Sequence, residues 1–254
     1  MGFYIVFILG GCLLLYRMIW EAFLNKVSRH ELFFSDFPDS FGQVSIFFIS
    51  DIHRRVISDK IIVDVLGKAD IVIIGGDLTE KGVPMKRVRE NIEKLKKLGP
   101  VYFVWGNNDY EVDYRKLDVI LLESGVKILY NTSVTFESGS GDKISLLGVD
   151  DLNQNLDRID FALMDAEKDS FKILASHYPD IVKKVAYEHG IHLVLSGHTH
   201  GGQIHIFGYS PYERGKLKVL KNTTLLISNG YGTTTLPLRL GAPAECHLIT
   251  LKKG

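Results

Sequence analysis

Hydrophobic and polar positions divide the chain into one uniformly apolar stretch followed by a long alternation of short apolar runs and amphipathic segments. Residues 3–20 are apolar apart from Gly10, Gly11 and Arg17. That length matches the roughly 17–25 residues a bilayer-spanning helix needs. From residue 43 onward, runs rich in β-branched and aromatic residues predict strands over 44–50, 71–74, 101–105, 144–149, 171–175, 193–195, 224–227 and 246–251. Apolar spacings of three and four predict helices over 60–66, 84–98, 114–124, 156–167 and 181–188. Pro84 opens the second of these, Ile92, Leu95 and Leu98 share one face, and Gly99-Pro100 ends it. Strands that alternate with helices make a layered α/β domain. Past Gln203 the helical pattern fades, which predicts antiparallel strands and long loops.

Three parts follow: an anchor helix over 1–24, a polar, aromatic-rich linker over 25–42, and a single folded domain over 43–254. The apolar stretch lacks the basic leader and small-residue cleavage site of a signal peptide, so it is read as an uncleaved transmembrane helix. Tyr16 and Trp20 suit the interface belt, and Arg17 is placed to snorkel. No Lys or Arg precedes the stretch, whereas Arg17, Lys26 and Arg29 lie at or beyond its end. The positive-inside rule therefore predicts a single-pass protein of the cell membrane with its domain in the cytoplasm.

The 254 residues are 46% hydrophobic, enough for a substantial core, and carry 30 basic and 30 acidic side chains. That balance argues against a nucleic-acid partner, which calls for a basic surface. Cys12 lies in the apolar stretch and Cys246 in the last strand, so no structural disulfide is expected.

The chemistry is concentrated at strand ends. Run 44–50 leads into Asp51-Ile52-His53, run 71–74 into Gly75-Gly76-Asp77, and run 101–105 into Gly106-Asn107-Asn108-Asp109. Run 171–175 leads into Ser176-His177, and run 193–195 into Ser196-Gly197-His198-Thr199-His200. The carboxyl edge of an open α/β sheet is where ligands bind. Taken singly, Asp-x-His or Gly-Gly-Asp is an ordinary turn. Five such clusters in succession converge on one crevice. Their donors are nitrogen and oxygen with no thiolate, a set that suits Mn, Zn, Fe, Ni or Co and disfavours a closed structural zinc site. Seven ligands exceed what one ion with an open position accepts. They fit two ions sharing a carboxylate.

Asp51-Ile52-His53, Gly76-Asp77, Gly106-Asn107-x-Asp109, His177 and Gly197-His198-Thr199-His200 together resemble the signature of calcineurin-like metallophosphoesterases. The resemblance runs over roughly residues 44–251. Segments 195–203 and 236–245 are similar to a bacterial membrane- or wall-associated subgroup. The resemblance implies a four-layer α/β sandwich with two central mixed sheets and two divalent metal ions, manganese among the candidates. It implies that Asp51, His53 and His200 hold the first ion, that Asn107, His177 and His198 hold the second, and that Asp77 bridges them. The implied reaction is phosphoester hydrolysis by a hydroxide between the ions. A membrane-anchored domain suits lipid-linked phosphoesters as substrates.

One departure is informative. The family commonly places a histidine where this chain has Asn108, and Asp109 would orient that histidine. An amide donates hydrogen bonds but is no general acid near neutral pH. The expected substrate is therefore a phosphodiester rather than an alkyl monoester, with Asn108 and Asp109 as the catalytic candidates. The alternative is a metal-binding membrane scaffold or sensor with weak or no catalysis. Arg54, Arg55 and Arg239 are further candidates to face the site. His205 is expected on a strand, Asp150-Asp151 in a loop, and His30, His189, His192 and His247 in structural or exposed positions.

Overall fold

The computed structural model describes residues 2–254. The chain begins with helix α1 (Gly2–Ala22), strand β1 (Lys26–Phe34) and strand β2 (Gln43–Ile49). Next come α2 (Asp59–Val65), β3 (Ile71–Gly75), α3 (Met85–Lys96), β4 (Val101–Val104) and α4 (Tyr114–Glu123). Strands β5 (Lys127–Ile128), β6 (Thr132–Glu137) and β7 (Lys143–Gly148) follow, then α5 (Ile159–Asp165) and β8 (Phe171–Ala175). The chain finishes with β9 (Ile191–Ser196), β10 (Leu217–Val219), β11 (Thr224–Ile227) and β12 (Glu245–Lys253).

These strands form two six-stranded sheets, β1-β12-β2-β3-β4-β5 and β10-β11-β9-β8-β7-β6. Both are mixed: β2, β3 and β4 run parallel while β12 is antiparallel to β2, and β7, β8 and β9 run parallel while β6 and β10 are antiparallel additions. Alternation along each strand sends successive side chains to opposite faces. Ile46, Phe48, Ile71 and Ile73 therefore face the second sheet, packing with Ile173 and Leu195. Phe47, Ile49, Val72 and Ile74 face outward onto Ile61, Val88, Ile92 and Leu117 of the helices. A third cluster joins Leu147, Leu174 and Val194 to Ala162 of α5 and Ile181. The result is a metallophosphatase-like α/β fold with two mixed central sheets flanked by helices. Burial on both faces is why these strands read as unbroken apolar runs.

Several stretches depart from the expectation, among them strand β6 over residues 132–137, where no element was expected. Residues 26–34, read as linker, form the edge strand β1, pairing in parallel with β12. Only one of its faces is buried, and that face mixes Ser28 and His30 with Leu32 and Phe34, so the hydrophobic contrast is low. The predicted helix 181–188 is two 3₁₀ turns, Pro179–Lys184 and Tyr187–His189, broken by extended backbone at Val185 and Ala186. The helix predicted over 156–167 contracts to α5. His205 lies outside the named strands, in a bridge-stabilised loop, with Nε2 2.7 Å from the Gly201 carbonyl. Both cysteines are free, as expected.

Helix α1 is long and apolar enough over Tyr4–Ala22 to cross a membrane, and few of its residues are buried. Its last turns meet the domain. The Met18 carbonyl accepts from Arg239 N at 3.0 Å, the Glu21 carboxylate from Gly241 N at 2.6 Å, and the Glu21 carbonyl from Ala244 N at 3.0 Å. Arg55 completes the junction. Its guanidinium lies 3.7 Å over the Tyr231 ring and donates to the carbonyls of Leu24, at 3.1 Å, and of Ala22, at 3.3 Å. Arg55 is thereby committed to the scaffold rather than to a substrate.

Candidate metal centre

All seven predicted donors sit on loops at the carboxyl ends of β2, β3, β4, β8 and β9, three strands from one sheet and two from the other. Asp51, His53, Asp77, His198 and His200 adopt left-handed backbone, with φ between 50° and 69°. Such conformations are costly for non-glycine residues and persist where surrounding structure fixes them. Here they turn consecutive side chains inward. The loops also approach closely: a Cβ on Gly106 would lie 2.3 Å from Asp77 Oδ1, and one on Gly197 2.4 Å from Asp51 Oδ2. Glycine is required at both points because the carboxylates occupy that space.

The donors converge. Asp51, His53 and His200 bring donor atoms within 4.8 Å of one another, and so do Asp51, Asp77 and His177, so each triad could hold a metal ion. His53 Nε2 and His200 Nε2 face each other at 3.0 Å. Asp77 Oδ2 lies 3.7 Å from His53 Nε2 and 3.3 Å from His177 Nε2, within reach of a histidine from each triad, and Asp51 belongs to both. His198 Nδ1 is 3.1 Å from Asn107 Oδ1, closing the ring of seven.

Neighbouring groups set the histidine tautomers. His177 Nδ1 donates to the Gly75 carbonyl at 2.9 Å, which leaves Nε2 as the nitrogen that faces the cluster, buried and 3.3 Å from Asp77 Oδ2. His53 Nδ1 is 3.0 Å from Glu80 Oε2, which favours a proton there and likewise frees Nε2. A carboxylate behind a histidine in this manner fixes the ring and raises its basicity. Burial opposes charging His177, but the Asp77 and Asp51 carboxylates outweigh it and push its pKa up to about 10. Burial likewise opposes charging His53, and Glu80, Asp77 and Asp51 outweigh it. Burial, reinforced by the charges of His53 and Arg239, holds His200 well below the usual histidine value. A cluster of carboxylates and inward-facing imidazoles is suited to divalent cations.

Glu80 was not legible from sequence; its one signal is the spacing Asp77-x-x-Glu80 within the same loop. It also pairs with Arg54, the arginine the sequence offered as a phosphate ligand. Glu80→Gln is expected to weaken metal affinity and turnover by about 10–100-fold, the usual cost of removing a group that orients a metal ligand. Metal titration by calorimetry measures it directly, and unchanged affinity would remove Glu80 from the centre.

The remaining candidates take distinct positions. Asp109 is fully buried and accepts from Gly106 N at 3.0 Å and Thr79 N at 3.1 Å, clamping two donor loops together. Burial, with Asp77 nearby, raises its pKa to about 7. Asn108 is half-buried at the rim; its backbone N–H donates to Asp77 Oδ1 at 2.8 Å and its Oδ1 accepts from Asn107 at 3.0 Å. Tyr178, also not foreseen, donates to Asn107 Oδ1 at 3.0 Å. Arg239 is wholly buried. It donates to the carbonyls of Asn229, Gly232, His200 and Ala242 and sets Nη2 3.2 Å from His200 Nδ1. It supports a donor from behind rather than facing a substrate.

Comparison with known proteins bears on the domain as a whole. The model of the calcineurin-like phosphoesterase family matches residues 44–202. The uncharacterized protein YpbG of Bacillus subtilis is 48% identical over 210 residues, covering 82% of this chain and 81% of its own. A Danio rerio transmembrane protein with a metallophosphoesterase domain is 30% identical; 97% of this chain aligns with 62% of that protein, less than two thirds of its length. An uncharacterized metallophosphoesterase of Helicobacter pylori is 30% identical, with 96% of this chain and 70% of that one aligned.

Proposed function

The chain belongs to the calcineurin-like phosphoesterase family and is a metal-dependent phosphoester hydrolase; from that premise we propose a dinuclear phosphodiesterase working at a membrane. Asp51, His53 and His200 would hold one divalent ion, Asn107, His177 and His198 would hold the other, and Asp77 would serve both. The observation that carries this reading is the convergence of two donor triads, Asp51 with His53 and His200 and Asp51 with Asp77 and His177, the donor atoms of each lying within 4.8 Å of one another. When bound, the two ions supply an acidified water as nucleophile and neutralise charge on the phosphoryl oxygens. The chain's own groups do the rest. Asn108, its side-chain oxygen engaged by Asn107, offers its amide nitrogen to a phosphoryl oxygen. Asp109 keeps the loops of Asp77 and Asn107 in register. With no general acid at residue 108, a leaving group that departs as a stable anion is favoured, which selects a diester with a good leaving group over an alkyl monoester.

The nitrogen and oxygen donor set suits Mn, Zn, Fe, Ni or Co. The substrate is a phosphoester of the membrane environment, and the domain faces the cytoplasm by the charge bias around α1. Protease treatment of intact cells, set against lysed ones, tests that orientation.

The reading is tested on full-length protein in detergent, with bis-p-nitrophenyl phosphate and Mn²⁺. Metal-dependent turnover that chelation removes and added metal restores supports it. Two ions bound with no turnover of any ester would favour the alternative of a membrane-bound metal scaffold or sensor, for which Asn108 is the motive.

A pH dependence follows. In the metal-free protein the His177 pKa lies near 10, so at pH 7 that ring carries a proton that a cation must displace. Metal affinity is expected to fall as pH drops below about 10, with net proton release on binding. Calorimetry in buffers of different ionisation enthalpy reads that release; binding with none between pH 6 and 9 would show His177 to lie outside the ligand set.

A further inference from the structure

The depth at which α1 meets the domain points to a second membrane contact beside it. The helix is apolar on all sides, a pattern that belongs in lipid. Yet the domain does not stop at its end. Arg239 N reaches the Met18 carbonyl, four residues before the helix finishes at Ala22 and so about 6 Å further along the axis at 1.5 Å per residue. Around that level lie Tyr16, Ile19 and Trp20, all exposed, while Arg17 folds back toward the domain to pair with Glu21 at 2.9 Å. The segment carrying Arg239 thus runs at the height where the helix is already apolar.

A hairpin is strung on that segment. Leu240 N donates to the Gln203 carbonyl at 2.9 Å and His205 N to the Leu240 carbonyl at 2.8 Å. Ile206 and Tyr209 exchange backbone hydrogen bonds, each of 2.9 Å, around a tip at Phe207 and Gly208 that has left-handed backbone at both residues. The Gln203 amide donates to the carbonyls of Thr234, at 3.1 Å, and Leu236, at 3.3 Å. From this framework Phe207 projects 98% exposed, Tyr209 84%, Ile206 66% and Leu236 55%. The hairpin directly follows the His200–Gly202 turn, so it continues the loop that carries a predicted metal donor.

We propose that Ile206, Phe207, Tyr209 and Leu236 enter the boundary between headgroups and acyl chains next to α1. The occupant is the bilayer interface. Phe and Ile supply apolar area, and Tyr supplies a ring with a polar tip suited to that depth. Continuity with α1 through Met18 selects lipid over a protein partner. The contact rests on α1 crossing a membrane and is independent of hydrolysis. It sets the metal centre against the headgroup layer, where phosphoesters of amphipathic molecules are presented.

Site-specific fluorescence in vesicles of zwitterionic and anionic phospholipid tests this on full-length protein. Cys246 is buried, and native Cys12 on α1 is exposed, so an environment-sensitive dye placed on Cys12 reports the anchor. In a Cys12→Ala background, the same dye on Phe207→Cys reports the hairpin, and on Met164→Cys it reports exposed α5. The expected result is a several-fold emission rise and quenching by spin-labelled lipid at positions 12 and 207, with a water-like signal at 164. A water-like signal at 207 with a quenched one at 12 overturns the second contact and leaves the anchor standing. A water-like signal at both, or equal quenching at 207 and 164, also overturns it. None of these readouts depends on turnover, so each stands apart from the catalytic reading.

Discussion

Asp77→Asn is expected to lower metal-dependent kcat/KM by at least about 10³-fold, a loss of roughly 4 kcal/mol of transition-state stabilisation. The amide keeps the shape of the carboxylate and can still accept the Asn108 N–H that now reaches Oδ1 at 2.8 Å. What it removes is charge at Oδ2, the atom placed 3.7 Å from His53 Nε2 and 3.3 Å from His177 Nε2. That oxygen stands between the two halves of the donor ring, so its loss affects both proposed ions at once. Metal analysis should find fewer than two ions on the variant at concentrations that saturate the unmodified protein. The loss of a buried charge also lowers the His177 pKa, because the Asp77 carboxylate is its strongest source of stabilisation. Circular dichroism and thermal melts separate this effect from unfolding. A variant that binds two ions and keeps more than about a tenth of the activity would mean that Asp77 does not bridge.

Much of this centre was visible in one dimension because its donors come from strand ends, and doubly buried strands declare themselves as apolar runs. Phe47-Phe48-Ile49 and Val72-Ile73-Ile74 leave no polar position on either face, so the first polar residue after each run marks the sheet's edge. The sequence was opaque where burial is one-sided or where a residue works at second remove. Strand β1 hides its inward face behind Ser28 and His30, and β6 alternates Thr132, Val134 and Phe136 at positions that are all half-buried. Glu80 and Tyr178 act on donors rather than on a ligand, and nothing in a lone glutamate or tyrosine announces that. Arg55 shows the reverse error. Its position two residues past His53 suggested a substrate contact, but the helix end at Ala22 and the Tyr231 ring had already claimed its guanidinium. Sequence adjacency to a donor places a residue near the centre without saying which way it faces.

Asn108→His should raise turnover of an alkyl phosphomonoester by about 10²-fold while changing that of a p-nitrophenyl diester little. A positioned general acid contributes about 10²–10⁴-fold, and only where the leaving oxygen needs a proton. The lower end is expected here for a structural reason. Both Asp109 oxygens already accept from backbone, from Thr79 N and Gly106 N, and that clamp limits how firmly Asp109 can orient a new imidazole one residue away. The 3₁₀ turn Asn108–Tyr110 holds the position at the rim through the backbone bond to Asp77, which a histidine preserves. Asn108→Ala is the complementary variant. It removes a donor to the phosphoryl oxygen without adding an acid, so both substrates should slow together. The ratio of kcat/KM for the two ester classes therefore separates proton donation from phosphate binding. A ratio that stays constant across asparagine, histidine and alanine would place residue 108 away from the leaving group and return the diester preference to the shape of the site.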